Sequence, residues 1–257
     1  MDSRSIEELS LNHWPSLSTL VYDGWLLRFA NGYTKRANSI SPIYGSTYDL
    51  QRKMDDCEKM YRDQRLPVIY KITPFVHPVN LDEVLGERGY SQLDITSVQV
   101  LDLEHVRQPQ LQGVKVSEEA DPAWIHAFCA INRVKEEHKA TMVTMLGNIK
   151  ARKALISLYA DGRAIACGCG VLERGYMGLF DIVTDPVYRN QGYAEQMILH
   201  LLQWGKQHGA RHSYLAVVAN NAPARRLYEK LGYTEIYRYW YRVKGMGERA
   251  THRYIQK

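Results

Sequence analysis

The chain has 257 residues, 45% of them hydrophobic and 24% charged, which suits one large or two small folded domains and excludes extensive disorder. No apolar run nears the ~18 residues of a membrane helix, and the start MDSRSIEELSLNHW has neither a basic nor an apolar leader region, so neither a membrane partner nor a secretory signal is expected. The formal net charge of +5 favours anionic partners, but without an arginine-rich run or zinc-finger spacing a phosphorylated small ligand accounts for it, and no nucleic-acid partner is expected.

From the N-terminus, WLLRFA at 25–30 and RANSISPI at 36–43 are predicted to form a hairpin around Asn31-Gly32. Leu50, Met54, Cys57 and Tyr61 recur at helical spacing. PVIYKI at 67–72 reads as a strand, 80–88 as a helix ending in Gly89-Tyr90, and ITSVQVLDL at 95–103 as a strand. The polar stretch 105–113 (HVRQPQLQG) reads as a linker. A short strand at 114–117 and helices over 120–133 and 138–150 follow.

Strands are then predicted at 155–160, 164–172 and 176–183, separated by turns at Asp161-Gly162-Arg163 and Arg174-Gly175. Pro186 ends the third, because proline cannot donate to a ladder. Ala194, Met197, Ile198, Leu201, Leu202 and Gly205 line one face of a helix that Gly209 stops. After a strand at 213–218, a helix opens near Pro223, with Ala224, Leu227, Tyr228 and Leu231 on its apolar face, and Gly232 closes it. A strand at 235–243 completes an α/β order of two lobes, 1–106 and 114–257. The segment Val84-Leu85-Gly86-Glu87-Arg88-Gly89-Tyr90 parallels Leu227-Tyr228-Glu229-Lys230-Leu231-Gly232-Tyr233, the mark of a diverged internal repeat.

Of four cysteines, Cys167 and Cys169 share one strand face, a spacing that favours neither a disulfide nor a metal site. Buried reduced thiols in a cytoplasmic protein, with no metal, are expected.

The chemistry-bearing stretch is Pro186-Val187-Tyr188-Arg189-Asn190-Gln191-Gly192-Tyr193-Ala194, between a strand and a helix start. Helix N-termini present unpaired N–H groups and partial positive charge, so they attract anions. Gly192 lets backbone approach a phosphate, Ala194 keeps the first turn open, and Arg189 adds charge or is a solvated surface side chain. The stretch is neither a P-loop nor a dinucleotide fingerprint.

Arg189-x-x-Gly192-x-Ala194 resembles the Arg/Gln-x-x-Gly-x-Gly/Ala signature of the GNAT superfamily of N-acetyltransferases. Asn221-x-x-Ala224-x-x-Leu227-Tyr228-Glu229-Lys230-Leu231-Gly232-Tyr233 is similar to a second segment of that family, in the right order, and the resemblance covers 114–245. It implies a GNAT-like mixed sheet flanked by helices and acetyl-CoA as co-substrate. The backbone of Arg189, Asn190, Gln191, Gly192, Tyr193 and Ala194 would hold the pyrophosphate. Ile182, Val183 and Thr184, on a strand splayed from its neighbour, would meet the pantetheine and acetyl carbonyl. Asn221 would contact the cofactor or serve only as a helix cap, and Tyr228 would protonate the leaving thiolate or be core.

The implied reaction is direct attack of a primary amine, on a small molecule or peptide, in a ternary complex; the rival reading is a non-catalytic CoA sensor or scaffold. The position where some relatives carry a glutamate base is Ala216. Asp181, on the same strand face as Leu179 and Val183 by alternation, is the substitute base or a structural acceptor, ahead of Glu173, Glu136, Glu137 and His138. The N-terminal lobe has GSTYDL at 45–50 where the anion loop would align, and Leu85 where Tyr228 would, so it resembles a degenerate copy that no longer handles CoA.

Overall fold

The computed structural model describes residues 2–244. In chain order its first elements are α1 (Ser3–His13), β1 (Ser18–Tyr22), β2 (Trp25–Phe29), β3 (Ile40–Ser41), α2 (Leu50–Asp63), β4 (Ile69–Ile72), α3 (Leu81–Glu87), β5 (Ser91–Asp102) and β6 (Val114–Ser117). There follow α4 (Pro122–Ile131), α5 (Glu136–Asn148), β7 (Arg152–Ala160), β8 (Arg163–Glu173), β9 (Tyr176–Thr184), α6 (Tyr193–Gln207), β10 (His212–Val218), α7 (Ala222–Leu231) and β11 (Thr234–Val243).

Two compact units emerge. One holds residues 2–13, 98–217 and 221–236, and the other 14–97, 218–220 and 237–244. The cuts at 97/98 and 236/237 fall inside β5 and β11, whereas the sequence reading drew its lobes as 1–106 and 114–257. The difference arises because strands join whatever sheet offers them partners, and β11 pairs with β4 from Trp240 opposite Ile72 to Val243 opposite Ile69.

In the N-terminal unit the strand order is β1-β2-β3-β4-β11. The hairpin predicted around Asn31-Gly32 pairs β2 with β3 antiparallel, Leu26 opposite Ser41 and Leu27 opposite Ile40, and β2 also pairs on its other side with β1, Ser18–Tyr22 against Trp25–Phe29, through a turn at Asp23-Gly24, both at positive φ. β1 escaped the sequence reading because its residues are largely exposed and show no apolar alternation. The strand predicted at 36–43 shrinks to Ile40–Ser41, since residues 35–37 form a single 3₁₀ turn capped by Thr34. Asn38 stabilises that loop by accepting from Ala30 N–H (2.8 Å) and Gly32 N–H (2.9 Å). The core packs Trp25, Leu27, Ile40, Met54, Cys57, Tyr61, Tyr70, Leu81 and Leu85.

In the C-terminal unit the order is β5-β10-β9-β8-β7-β6. β6–β7, β7–β8 and β8–β9 are antiparallel pairs, and β9 pairs in parallel with β10. One sheet face packs on α6 and α7 through Ile156, Ile165, Met177, Leu179, Met197, Ile198, Leu201, Leu202 and Tyr228. The four α6 residues among them, Met197, Ile198, Leu201 and Leu202, are ones the helical periodicity singled out.

The stretch 105–113 is not a free linker, because α6 holds it. Gln196 accepts from the N–H of Gln110 (2.7 Å) and Leu111 (3.0 Å), Gln203 donates to the carbonyls of Val106 (3.2 Å) and Arg107 (3.1 Å), and Lys206 donates to Glu104 (2.7 Å). A polar segment without secondary structure still has backbone groups to satisfy, and polar side chains of α6 supply the partners.

Candidate active site

β9 carries the irregularity on which the site is built. Cys169 pairs with Phe180 but Cys167 pairs with Val183, so β9 sets two residues, Asp181 and Ile182, against Gly168. Asp181 adopts φ 52°, a left-handed conformation that a non-glycine residue takes only at some cost. A Cβ on Gly168 would lie 2.9 Å from Ile182 Cδ1, so glycine there gives the bulged side chain room. The alternation expected to align Asp181 with Leu179 and Val183 is thereby broken: Leu179 and Ile182 pack on the core cluster, while Val183 stands opposite Cys167.

The same region loses its parallel partner. β9 pairs with β10 from Tyr176 opposite His212 to Leu179 opposite Leu215, and the pairing stops there. Ile182, Val183 and Thr184, all half-buried, therefore lie on the stretch of β9 beyond the paired segment.

Past β9, residues 186–188 make one 3₁₀ turn, begun by Asp185, whose carboxylate accepts from Val187 N–H (3.0 Å) and pairs with Arg163 (2.6 Å). Arg189 Nε donates to Thr184 O (3.2 Å), closing the end of β9, and Gln191 donates to Val187 O (3.2 Å). Asn190 has φ 60°. Gly192 is the N-cap of α6 at φ 84°, no side chain caps the helix, and open space surrounds the position of an added Cβ. Tyr188 and Tyr193, packed edge to face at 6.0 Å, anchor both ends of the turn on the core. The first-turn N–H groups of α6 are thus free of any side-chain cap, and the glycine leaves a cradle that suits a phosphate.

The second motif joins the first through a contact the sequence reading missed. Glu195, in the first turn of α6, pairs with Lys230 (2.6 Å) of α7 and with Arg107 (2.8 Å). The Lys230 hydrogen bond first, and that of Arg107 as well, hold its carboxyl below the usual range. Only the i to i+35 contact reveals this role for Lys230. Asn221 caps α7, its side chain accepting from Ala224 N–H (3.3 Å), so its amide Nδ2 is what it retains for a ligand.

Tyr228 is 9% exposed, edge to face with Tyr233 at 5.9 Å, and its hydroxyl has no hydrogen-bond partner among the described residues. Burial pushes its pKa up to about 12, so the phenol stays protonated at neutral pH and holds a proton to give. The four cysteines are free and buried. Burial raises the thiol of Cys167 to about 11 and that of Cys169 higher still, which removes them as nucleophiles.

The other candidate bases fall elsewhere. Glu136 pairs with Lys139 (2.5 Å), and Glu137 lies 3.6 Å from His138, at the start of α5. Glu173 accepts from Asn12 Nδ2 (3.3 Å to each oxygen) and from Arg174 Nε (3.1 Å). Ala216 sits half-buried on β10. Among the described residues no three potential metal ligands cluster, and no helix is long and apolar enough to cross a membrane.

Residues 1–242 match the family described as "Probable histone acetyltransferase Rv0428c C-terminal". The chain is 28% identical over 250 residues to the uncharacterized N-acetyltransferase YobR of Bacillus subtilis, covering 95% of this chain and 99% of that protein. It is 40% identical over 92 residues to the [ribosomal protein bS18]-alanine N-acetyltransferase of Escherichia coli, a match spanning 36% of this chain and 62% of that enzyme. A GCN5-related N-acetyltransferase from Kribbella flavida has the same fold at a TM-score of 0.70, with 16% identity and 96% of each chain covered. A tandem GNAT protein from the clavulanic acid biosynthesis pathway shares it at 0.60, with 13% identity, over 76% of this chain and 69% of that one. The chain thus belongs to the Rv0428c C-terminal acetyltransferase family and is an N-acetyltransferase of the GNAT type.

Proposed function

We propose that the chain moves the acetyl group of acetyl-CoA to a primary amine by direct attack in a ternary complex. The observation that carries this reading is the pairing of an uncapped, glycine-led helix start at Gly192 with a bulged strand, β9, that parts from β10 beyond Leu179. The backbone of Arg189, Asn190, Gln191, Gly192, Tyr193 and Ala194 would bind the pyrophosphate. The free edge of Ile182, Val183 and Thr184 would bind the pantetheine arm and offer an N–H to the oxyanion that forms on attack. The Asn221 amide would add a contact to the cofactor.

Acetyl-CoA supplies a thioester whose thiolate is already a fair leaving group. Tyr228, kept protonated by burial, donates its proton to that sulfur, and Asp181, within the bulge, is the carboxylate nearest in role to a base. No cysteine takes part. The N-terminal unit binds no CoA and contributes to folding or acceptor choice. Four free cysteines suit a reducing cytoplasm. Relatives that act on an alanine of ribosomal protein bS18 make a peptide amine the first acceptor to try, with small-molecule amines beside it.

The test is CoA release from acetyl-CoA with a panel of peptide and small-molecule amines, run beside calorimetry of CoA binding. Transfer to at least one amine is expected. Tight CoA binding with no transfer to any would replace the enzyme by a sensor, and absence of CoA binding would remove the reading altogether.

A further inference from the structure

A cleft of about 410 Å³ lies between the second half of α4 and the end of β9, a size within the ordinary range for a small-molecule site. It opens to solvent, since Val187 on its wall is 78% exposed and the Arg163 side chain on its rim 69%. The helical period sets which face of α4 it meets: Trp124 and Phe128 stack at 5.0 Å in the core, and the residues of the adjoining face turn to the cleft. Of these, Ala127, Ala130 and Ile131 give it an apolar floor, which Pro186 and Val187 continue from the turn after β9.

The rim is basic. His126, Arg133 and Arg163 line it, and among the described residues the side chains of His126 and Arg133 make no hydrogen bond or ion pair. Arg163, the first residue of β8, uses one of its five N–H donors on Asp185 Oδ2 (2.6 Å). Asp185, the acidic residue of the lining, is turned inward, and its other oxygen accepts from Val187 N–H (3.0 Å). Both of its oxygens are engaged, so a ligand entering the cleft meets guanidinium donors rather than a free carboxylate.

We propose that this cleft holds a carboxylate carried by the acceptor amine, with Arg133 and Arg163 on the carboxylate and the hydrocarbon spacer on the apolar floor. The inference rests on the acetyl-transfer reading above and names its acceptor class, an amine that bears an acid a few carbons away. Guanidinium groups match a carboxylate through two parallel N–H donors. The rim has one guanidinium more than the carboxylate it already pairs, which suits a monoanion on an apolar body better than a doubly charged phosphate ester.

The place of the cleft in the fold ties it to the acceptor. Asp185 directly follows Thr184, the last of the three β9 residues proposed to meet the acetyl carbonyl. Extended backbone advances ~3.3 Å per residue, so Val183 and Asp185 stand ~6.6 Å apart along the chain. An extended spacer of about five carbons covers that distance. δ-Aminovalerate, with its amine and carboxylate at opposite ends of such a chain, is therefore the probe. Arg133 and Arg163 act here on binding and specificity, and the chemistry at the thioester is unchanged.

The experiment compares the kinetics of the full chain on δ-aminovalerate, pentylamine and cadaverine, which differ at the end far from the reacting amine. The wild type is expected to show a KM for δ-aminovalerate ~10-fold below that for pentylamine at similar kcat, because the carboxylate contact is the same in ground and transition states. Arg133→Gln, at an exposed position, should raise the KM for δ-aminovalerate ~10-fold and leave the KM values for pentylamine and acetyl-CoA unchanged. Arg133→Glu should turn the preference toward cadaverine, whose far ammonium is then the complementary charge. Valerate, which lacks the amine, should compete with δ-aminovalerate and not with acetyl-CoA. A wild type active on other amines but indifferent to the carboxylate overturns the proposal, as does an Arg133→Gln effect equal on all three acceptors. Valerate that binds without competing with the acceptor marks a site for a separate acid and overturns the acceptor assignment. Calorimetry of δ-aminovalerate needs no turnover: equal binding to wild type and Arg133→Gln, or none to either, overturns the cleft and leaves acetyl transfer to other amines standing. Binding ~10-fold weaker in Arg133→Gln, beside a wild type that transfers acetyl to no amine, keeps the carboxylate site and overturns the acetyl-transfer reading instead.

Discussion

The two units each lead a strand or loop into a helix, and they treat the helix start in opposite ways. α6 begins at Gly192 in a left-handed conformation, with no side-chain cap. α2 begins at Asp49, whose carboxylate accepts from Arg52 N–H at 3.0 Å. Just before it, Asp23 accepts from the N–H groups of Thr47 (2.9 Å to Oδ2) and Tyr48 (2.9 Å), from the Thr47 hydroxyl (2.9 Å), and from Lys53 Nζ (3.1 Å). The Tyr48 N–H is the largest influence holding the Asp23 carboxyl well below the usual range. In the N-terminal unit the chain's own carboxylates take the donors that an anionic ligand would need. A strand-to-helix junction stops being an anion site once it carries an internal anion. Leu85, at the place aligned with Tyr228, is fully buried core.

The contrast can be broken first at Gly192. Gly192→Val places a branched side chain in the open space at φ 84°, and CoA affinity is expected to fall ~100-fold, about 2.7 kcal/mol. Gly192→Ala separates backbone strain from bulk and should lose less. Calorimetry giving wild-type affinity for the valine variant would show that the uncapped helix start is not the cofactor's anchor.

Tyr228→Phe tests the other half of the contrast. A loss of some tens-fold in kcat is expected at an unchanged KM for acetyl-CoA, since the hydroxyl acts only on the departing thiolate. Unaltered kcat with chemistry shown to be rate-limiting would return Tyr228 to the core.

Acid unfolding sharpens the comparison further, because each unit carries a group with a depressed pKa. His13 is neutral when folded down to about pH 3 but titrates near 6.5 when unfolded, so the unfolded chain binds the extra proton between those values. Stability should therefore fall as pH drops from 6.5 toward 3, by a few kcal/mol in all, and His13→Phe should flatten that part of the melting curve. Asp23, whose folded pKa lies below the ordinary 3.8, contributes stability that is present above that value and lost as pH falls further. Asp23→Asn should flatten only this lower limb. Identical acid profiles for both variants and the wild type would contradict the burial of His13 and the hydrogen bonds described for Asp23.

The smallest effect is expected at Asp49. Asp49→Ala should cost ~1 kcal/mol of stability through loss of the helix cap. CoA stoichiometry should stay at one per chain, because Asp23 still holds the N–H groups of Thr47 and Tyr48. A second CoA bound by this variant would show the N-terminal junction to be a masked site rather than a replaced one.

Much of the fold was legible because its signals are local. The α6 periodicity from Ala194 to Gly205 and the apolar face of α7 both hold, and the strands predicted around 155–183 match β7, β8 and β9 to within a few residues. The element that β1 forms was illegible, since an exposed edge strand need not alternate. The 105–113 stretch reads as a linker in any local window, and only the polar face of α6 shows it to be held. Simple alternation also misplaced Asp181, because a bulge is created by the partner strand: nothing in YMGLFDIVT reveals that Gly168 will face two residues.

What the amino-acid order determined by itself is whatever neighbours in sequence decide: helix faces, turn glycines, the α6 start at Gly192 and the cap at Asn221. Backbone conformation there depends on residues within one or two turns. Tertiary structure alone decided which groups meet across the chain: Lys230 with Glu195, His13 with Tyr214 some 201 residues away, and β11 with β4. Those contacts depend on where whole elements pack, and packing answers to burial and strand pairing rather than to spacing along the chain.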